Sequence, residues 1–259
     1  MFRIGLVQMR CEKADMTGNL AVMSRYISES RRLGVDLLAF PEMSFTGYAD
    51  PTRYNEAQLR LDGPEVSQLM DATRGFPGTV LAGIIEYNPP GKPFITQLAL
   101  SDGRLTAVYR KRTIVGDEAQ LFSPGGQVEV VRDGKVTFGM AICADIENES
   151  VFRDCRTQGA EIIFECAAPG LYGDQADRNW RSGFEWWKGE CEKRLGLYAR
   201  KYNVWIAVTT QAGRTIDEDF PGGGYLFSPS GALRYQTADG SEGAVYLAVD
   251  THSGAATLI

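Results

Sequence analysis

Three side chains in this sequence have types and settings that could do chemistry together. Glu42 closes Leu37-Leu-Ala-Phe-Pro-Glu, Lys111 stands in Tyr109-Arg-Lys-Arg, and Cys143 ends Thr137-Phe-Gly-Met-Ala-Ile-Cys. Each lies at or just past the C-terminal end of a strand-like run, where the loops of α/β folds converge into active sites. The thiol can attack a carbon, the carboxylate can take its proton, and the ammonium can hold the oxyanion that develops.

Taken singly, each residue has a plainer explanation. A free cysteine after an apolar strand is usually a small core residue. A carboxylate after such a run is usually a solvated loop residue, although Pro41 fixes the exit direction as a positioned base requires. Arg110-Lys-Arg reads as a basic turn whose charge Glu118 could offset. Cys155 and Cys191 fall inside helical patterns and Cys11 follows an edge-like strand, so these read as structural. Histidine-assisted catalysis has one possible source, His252, seven residues from the end of the chain. Only a tail folded back into the site could bring it to Cys143, so a carboxylate is the better base for this thiol.

Composition narrows the partners. The chain has 259 residues with 27 basic against 33 acidic side chains, which offers no basic patch for phosphates, and nucleic acid is not expected. The opening Met-Phe-Arg-Ile-Gly-Leu-Val-Gln reads as a strand rather than a signal peptide. No apolar run approaches a bilayer span, so no membrane partner is expected. Five cysteines without CxxC spacing suggest free thiols in a cytoplasmic setting. Metal-ligand spacing is absent, and neither a metal nor another cofactor is expected.

The elements that must position the three side chains alternate along the chain. Strands are expected at Phe2–Met9, Val35–Phe40 and Thr79–Glu86, with helices near Gly18–Leu33 and from Pro64 to about Thr73. Turn signals at Asn88-Pro-Pro-Gly, Ser101-Asp-Gly and Arg132-Asp-Gly-Lys then separate strands at Phe94–Leu100, Leu105–Arg110, Gln127–Val131 and Val136–Ile142. A helix near Ser150–Gln158, a strand at Glu161–Glu165, a long helix over Asn179–Tyr202 and a strand at Val204–Thr210 follow. Late strands are expected at Tyr225–Phe227, Leu233–Gln236 and Ala244–Val249. Crossovers mixed with hairpins imply an α/β fold of two sheets with helices outside, in one domain spanning residues 1–259.

Four blocks in order resemble the nitrilase, or carbon–nitrogen hydrolase, superfamily. They are Asp36-Leu-Leu-Ala-Phe-Pro-Glu-Met-Ser-Phe-Thr-Gly-Tyr, Tyr109-Arg-Lys, Glu118-Ala-Gln-Leu-Phe-Ser-Pro-Gly and Gly139-Met-Ala-Ile-Cys-Ala-Asp. Phe220-Pro-Gly-Gly-Gly-Tyr-Leu-Phe-Ser-Pro-Ser-Gly extends the likeness toward the C-terminus. The resemblance implies a four-layer αββα sandwich, commonly paired into homodimers or larger homo-oligomers. It implies Glu42 as general base, Lys111 as oxyanion stabiliser, Cys143 as nucleophile and Glu118 as the residue that holds Lys111. It also points to Tyr48, Ala144, Cys166 and Ala168 as substrate-contacting positions.

The expected activity is hydrolysis of a non-peptide C–N bond in a small amide or carbamoyl compound through a cysteine thioester. Nitrile hydrolysis at the same site and a non-catalytic binding role on the same fold are the alternatives. Departures from the common pattern fall at Thr113, where relatives often have His. Others are Ala144, where an aromatic residue is common, Glu147 in place of Arg, and the stretch Phe164–Gly173. The aromatic residues of Trp180–Trp187 have two readings, a helix face packed on the core or a partner, or a wall of the substrate pocket.

Overall fold

The computed structural model describes residues 1–171, 175–177, 179–251 and 254–259. The chain begins with β1 (Phe2–Gln8), α1 (Met16–Arg32), β2 (Leu37–Ala39), β3 (Gln58–Leu59) and α2 (Pro64–Ala72). A meander of β4 (Thr79–Glu86), β5 (Phe94–Ser101) and β6 (Arg104–Arg110) follows, then the single turn α3 (Glu118–Leu121). Next come β7 (Val131–Arg132), β8 (Thr137–Ile142), α4 (Glu149–Thr157), β9 (Ile162–Ala167), α5 (Trp180–Tyr202) and β10 (Trp205–Thr210). The chain closes with β11 (Ala212–Arg214), β12 (Asp219–Pro221), β13 (Gly224–Phe227), β14 (Leu233–Gln236), β15 (Gly243–Asp250) and β16 (Ala255–Leu258).

Two mixed sheets result. The first runs β16-β15-β1-β2-β4-β5-β6 with β3 beside β4, and the second runs β14-β13-β10-β9-β8-β7. Period-2 alternation explains how they stack. Ile4 and Leu6 of β1 and Leu81 of β4 share one apolar cluster with Phe138, Met140 and Phe164 of the second sheet. Val7, Leu38, Val80 and Leu98, on the opposite face of the first sheet, pack instead with Met23 and Ile27 of α1 and Leu69 of α2. On the far side of the second sheet, α4 and α5 add Phe152, Cys155, Cys191 and Leu195 to the larger cluster. The layers are therefore helix, sheet, sheet, helix, and strands buried on both faces read as near-continuous apolar runs.

Helix ends follow their local chemistry. Asp15 accepts from the Gly18 N–H at the start of α1, Pro64 opens α2, and Asn179 accepts from the Ser182 N–H at the start of α5. Asn203 ends α5 in the left-handed region at φ +50°.

Three expectations are corrected. The strand expected at Gln127–Val131 pairs only at Val131–Arg132, because the Val128 carbonyl accepts from the Gln158 side chain instead of a neighbouring strand. The strand expected at Val35–Phe40 shortens to Leu37–Ala39, since the Val35 N–H bonds back to Ser30 at the end of α1. The β11–β12 hairpin, the two-residue β3 and the edge strand β16 were not expected at all. Each is short, with too few residues to show a period.

One glycine sets how closely Glu42 can approach the first sheet. A Cβ on Gly83 would stand 2.2 Å from the Met43 nitrogen and 2.9 Å from the Glu42 carbonyl carbon, both backbone atoms. The Gly83 carbonyl also accepts from the Phe45 N–H at 2.9 Å, and its N–H donates to Ser44 Oγ at 2.9 Å. Gly83→Ala should therefore cost at least about 1–3 kcal/mol by overpacking. It should also displace Glu42, the expected general base, and so lower any turnover, because the backbone that must yield carries it. Urea unfolding together with turnover at saturating substrate will test this. A folded variant with unchanged rate would show that Glu42 is positioned from elsewhere.

Candidate active site

Cys143 follows β8 directly and begins a 3₁₀ turn over Cys143–Glu147. Its φ of +43° lies in the left-handed region, uncommon for a residue with a side chain. Glu42 lies beyond the end of β2, and Met43 after it also has positive φ, at +48°. Lys111 leaves the end of β6, where its N–H still donates to the Ile95 carbonyl at 2.8 Å. Glu118 opens α3. The four expected residues thus arrive from strand ends and loops of both sheets and meet at one end of the seam.

They form one buried cluster. The Lys111 ammonium, 1% exposed, donates to Glu42 Oε1 at 2.9 Å and to the two Glu118 oxygens at 2.8 and 3.0 Å. Glu42, fully buried, accepts from the Ala168 N–H at 2.9 Å on its other oxygen. Tyr48 donates its hydroxyl to Glu118. Asp145, two residues past the cysteine, accepts from Tyr109 Oη at 2.6 Å, the Thr113 N–H at 2.8 Å and the Ile142 N–H at 3.0 Å. It therefore ties the Cys143 turn to the strand that carries Lys111.

Burial governs the protonation states. It raises the Glu42 carboxyl to about 7; Lys111 opposes this rise and Glu118 adds to it, so one ammonium serves two carboxylates. Burial also pushes the Cys143 thiol well up, Glu42 pushes it further, and Lys111 offsets only part. Although Lys111 stands beside it, the net direction for this thiol is upward. For Lys111 itself, burial pulls down, and Glu42, Cys143 and Glu118 together outweigh it, so the amine stays protonated.

A cavity of about 580 Å³ opens onto Cys143 and Lys111. Tyr48, Ala144 and Ala168 line it, and the Ala168 N–H is already taken by Glu42. Cys166 does not belong to the wall. Fully buried in β9 and paired in register with Ile142 and Thr209, it sits within the sheet layer beneath. Both readings of the Trp180–Trp187 aromatics hold, for different residues. Trp186 and Trp187 line the cavity, with Trp187 Nε1 donating to Thr210 Oγ1 at 2.9 Å. Phe184 packs on Tyr225, ring centroids 6.2 Å apart. Of the departures noted in the sequence, Thr113 serves Asp145 through its backbone, Ala144 and Glu147 line the cavity, and Tyr172 and Gly173 lie outside the described residues. His252 also lies outside them.

Comparison with known proteins places these observations among relatives. A family model described as carbon-nitrogen hydrolase matches residues 3–253. A glutamine-dependent NAD(+) synthetase of Thermotoga maritima is 32% identical over 241 residues, covering 89% of this chain and 39% of that protein. A formamidase of a Bradyrhizobium species is 32% identical over 175 residues, covering 63% of this chain and 51% of that protein. The chain thus spans about half the length of these curated relatives or less. An amidase of Nesterenkonia sp. AN1 superposes with a TM-score of 0.83 at 20% identity, over 96% of this chain and 93% of that chain.

Two acidic residues of the site gave no separate signal in the sequence. Asp145 follows Cys143 in Cys-Ala-Asp, where a carboxylate in a polar turn has no reason to be singled out. Glu165 is the other, fully buried in β9 between Ala141 and Val208 of the adjoining strands, with neither carboxyl oxygen hydrogen-bonded. A lone charge in an otherwise apolar strand was the available sign. Burial, then Asp145 and Glu42, hold its carboxyl well above the ordinary value of 4.5, with Lys111 opposing, so it stays protonated in the fold. A carboxyl raised by folding contributes stability below its unfolded value, and that contribution is lost as pH rises toward the folded value. Glu165→Gln keeps the shape and removes the titration. Its urea midpoint should therefore gain on the parent protein between about pH 5 and about pH 8. Parallel curves for the two proteins would mean that Glu165 ionises freely in the fold.

Proposed function

Because the chain belongs to the carbon–nitrogen hydrolase family, we propose that it hydrolyses the C–N bond of a small amide or carbamoyl compound. Cys143 is the nucleophile, Glu42 the general base and acid, and Lys111 the oxyanion stabiliser; Glu118 and Tyr48 hold Lys111 in place. The observation that carries this reading is the carboxyl of Glu42. It is buried, bonded to Lys111, close enough to the Cys143 thiol for each to shift the other, and raised to about 7. A base tuned near neutrality beside a thiol that does not ionise alone is suited to taking the proton during attack.

The steps follow from the geometry. Cys143 Sγ bonds to the amide carbon as its proton passes to Glu42. The oxygen gains the negative charge, which Lys111 and the Ala144 N–H receive. Each such donor typically contributes a factor of ~10²–10³ in rate. The C–N bond then breaks, Glu42 returns the proton to the departing nitrogen, and ammonia or an amine leaves a thioester. Water attacks that thioester, giving its proton to Glu42. Collapse releases the carboxylic acid and returns the proton to the thiol.

The relatives favour simple amides and one specific amide. Formamidases and a solved amidase stand among them. Glutamine-dependent NAD(+) synthetases match nearly all of this chain and less than half of their own length. The side-chain amide of glutamine is therefore the second reading of the substrate. An amide panel containing formamide, acetamide and glutamine, assayed for ammonia, separates the two. Ammonia from none of the panel, with no carboxylate product, would overturn the hydrolase reading.

Two outcomes test the residue roles. Glu42 must be ionised to act as base, so kcat/KM should rise with pH through about 7 and then level off, with protonated Lys111 imposing no fall in the same range. Glu42→Gln should remove this limb and lower the rate by a factor of ~10²–10⁴. A limb that survives in Glu42→Gln would assign it to another group.

The same variant should also take a covalent label at its nucleophile, because the Cys143 sulfur can displace fluoride from fluoroacetamide, losing its proton to solvent and leaving a thioether that water does not cleave. In the Nesterenkonia amidase, a glutamate-to-glutamine variant carries the acetamide moiety of fluoroacetamide on its active-site cysteine. Treating Glu42→Gln of this chain with fluoroacetamide should add one acetamide mass that peptide mapping puts on Cys143. Cys143→Ser should carry no adduct and show no turnover, since a hydroxyl is far harder to ionise than a thiol. An adduct on another residue, with Cys143 free, would displace the nucleophile.

A further inference from the structure

A second cavity lies at the opposite end of the sandwich from Cys143. It encloses about 500 Å³ where β9 and β10 begin, whereas the active site lies where these strands end. Arg156 of α4, Arg234 of β14, Ser228 and Ser230 of the turn between β13 and β14, Trp205 and Glu161 contribute to its wall. The chain carries a net charge of −6, yet two guanidinium groups face one carboxylate here.

The hydrogen bonds of these groups leave donors over. Arg156 is held by backbone carbonyls, its Nε donating to Tyr202 at 3.0 Å and its Nη1 to Ala160 at 3.4 Å. Among the described residues, neither Arg156 nor Arg234 has a carboxylate partner. Glu161, the one acid of the wall, accepts from the Thr137 N–H at 2.9 Å. The Ser228 and Ser230 hydroxyls bond to each other at 2.9 Å.

Trp205 also contributes to the wall, 1% exposed, with its indole N–H buried beneath the cavity surface.

We propose that this cavity binds a small molecule through a carboxylate or phosphate oxyanion. Arg156 and Arg234 take its charge, and Ser230 donates its hydroxyl. The β9 and β10 strands connect this cavity to the active-site end, where β9 leads into Ala168, whose N–H bonds Glu42. The inference does not depend on which amide the active site cleaves.

Calorimetric titration with inorganic phosphate and with malonate, at matched ionic strength, tests the proposal. At least one should bind saturably, one per chain, where chloride does not. Binding of phosphate alone would assign a phosphate ligand, and binding of malonate alone a carboxylate. Arg234→Ala alters an exposed residue of an edge strand and should fold normally. It should weaken binding about tenfold or more, the effect of losing a charge-assisted hydrogen bond, with amide hydrolysis in anion-free buffer unchanged. The Trp205 indole N–H resonance, identified by its absence in Trp205→Phe, should shift as the anion is added. No saturable binding of either probe, equal binding by the Arg234→Ala protein, or an indole resonance that stays put would overturn the proposal.

Discussion

The arrangement around Cys143 depends on one ammonium taken out of water. An isolated charge in a protein interior carries a penalty of several kcal/mol, so Lys111 stands there only because two carboxylates meet it. Glu42 and Glu118 do so at hydrogen-bond distance, from separate loops. Two acids for one base leave the cluster short of positive charge, and the deficit falls on the more deeply buried acid. Burial above all, with the Glu118 charge added, makes Glu42 hold its proton to near neutral pH although it is paired. Burial, with the Glu42 charge added, likewise keeps the Cys143 thiol protonated. The ion cluster thus sets the reactivity of the thiol as well as the place of the lysine.

Such a cluster needs rigid walls on both sides, and the stacked sheets supply them. Glu42, Lys111 and Glu118 come from the first sheet and its loops, Cys143 and Ala168 from the ends of the second. Asp145 bridges the two by accepting from Tyr109 of β6 and from Ile142 of β8. The Ala168 N–H closes the other side by bonding Glu42. Backbone and side-chain donors fixed by sheet packing require little reorganisation during reaction, which is the condition for electrostatic stabilisation of an oxyanion. Gly83 allows the Glu42 segment to lie directly on β4, so the absence of a side chain is itself part of the positioning.

Glu165 shows a different use of burial. It has no hydrogen-bond partner among the described residues, sits between apolar strand neighbours, and stays neutral, so it adds no charge to a site already rich in carboxylates. Trp186 and Trp187 divide their work along one turn of α5. Trp187 is anchored to Thr210 under the cavity, and Trp186 remains 40% exposed at its mouth. The cavity wall is therefore aromatic on one side and carries Lys111 and Cys143 on the other.

The sequence by itself determined the fold class and singled out the three candidate positions, because both rest on local signals. Strands buried on both faces leave apolar runs that survive any tertiary detail, and Thr79–Glu86 matches its expected limits residue for residue. Glu42, Lys111 and Cys143 each follow a strand-like run, so their order was legible before their distances were known. Only the tertiary structure decided what depends on groups far apart in the chain. The Ala168 N–H reaches Glu42 across 126 positions, and Tyr109 reaches Asp145 across 36. It moved Cys166 off the cavity wall, because a residue inside a paired strand follows the pleat of its sheet. It also turned the thiol of Cys143 upward in pKa, since desolvation is a property of the surrounding volume and leaves no mark on neighbouring residues in sequence.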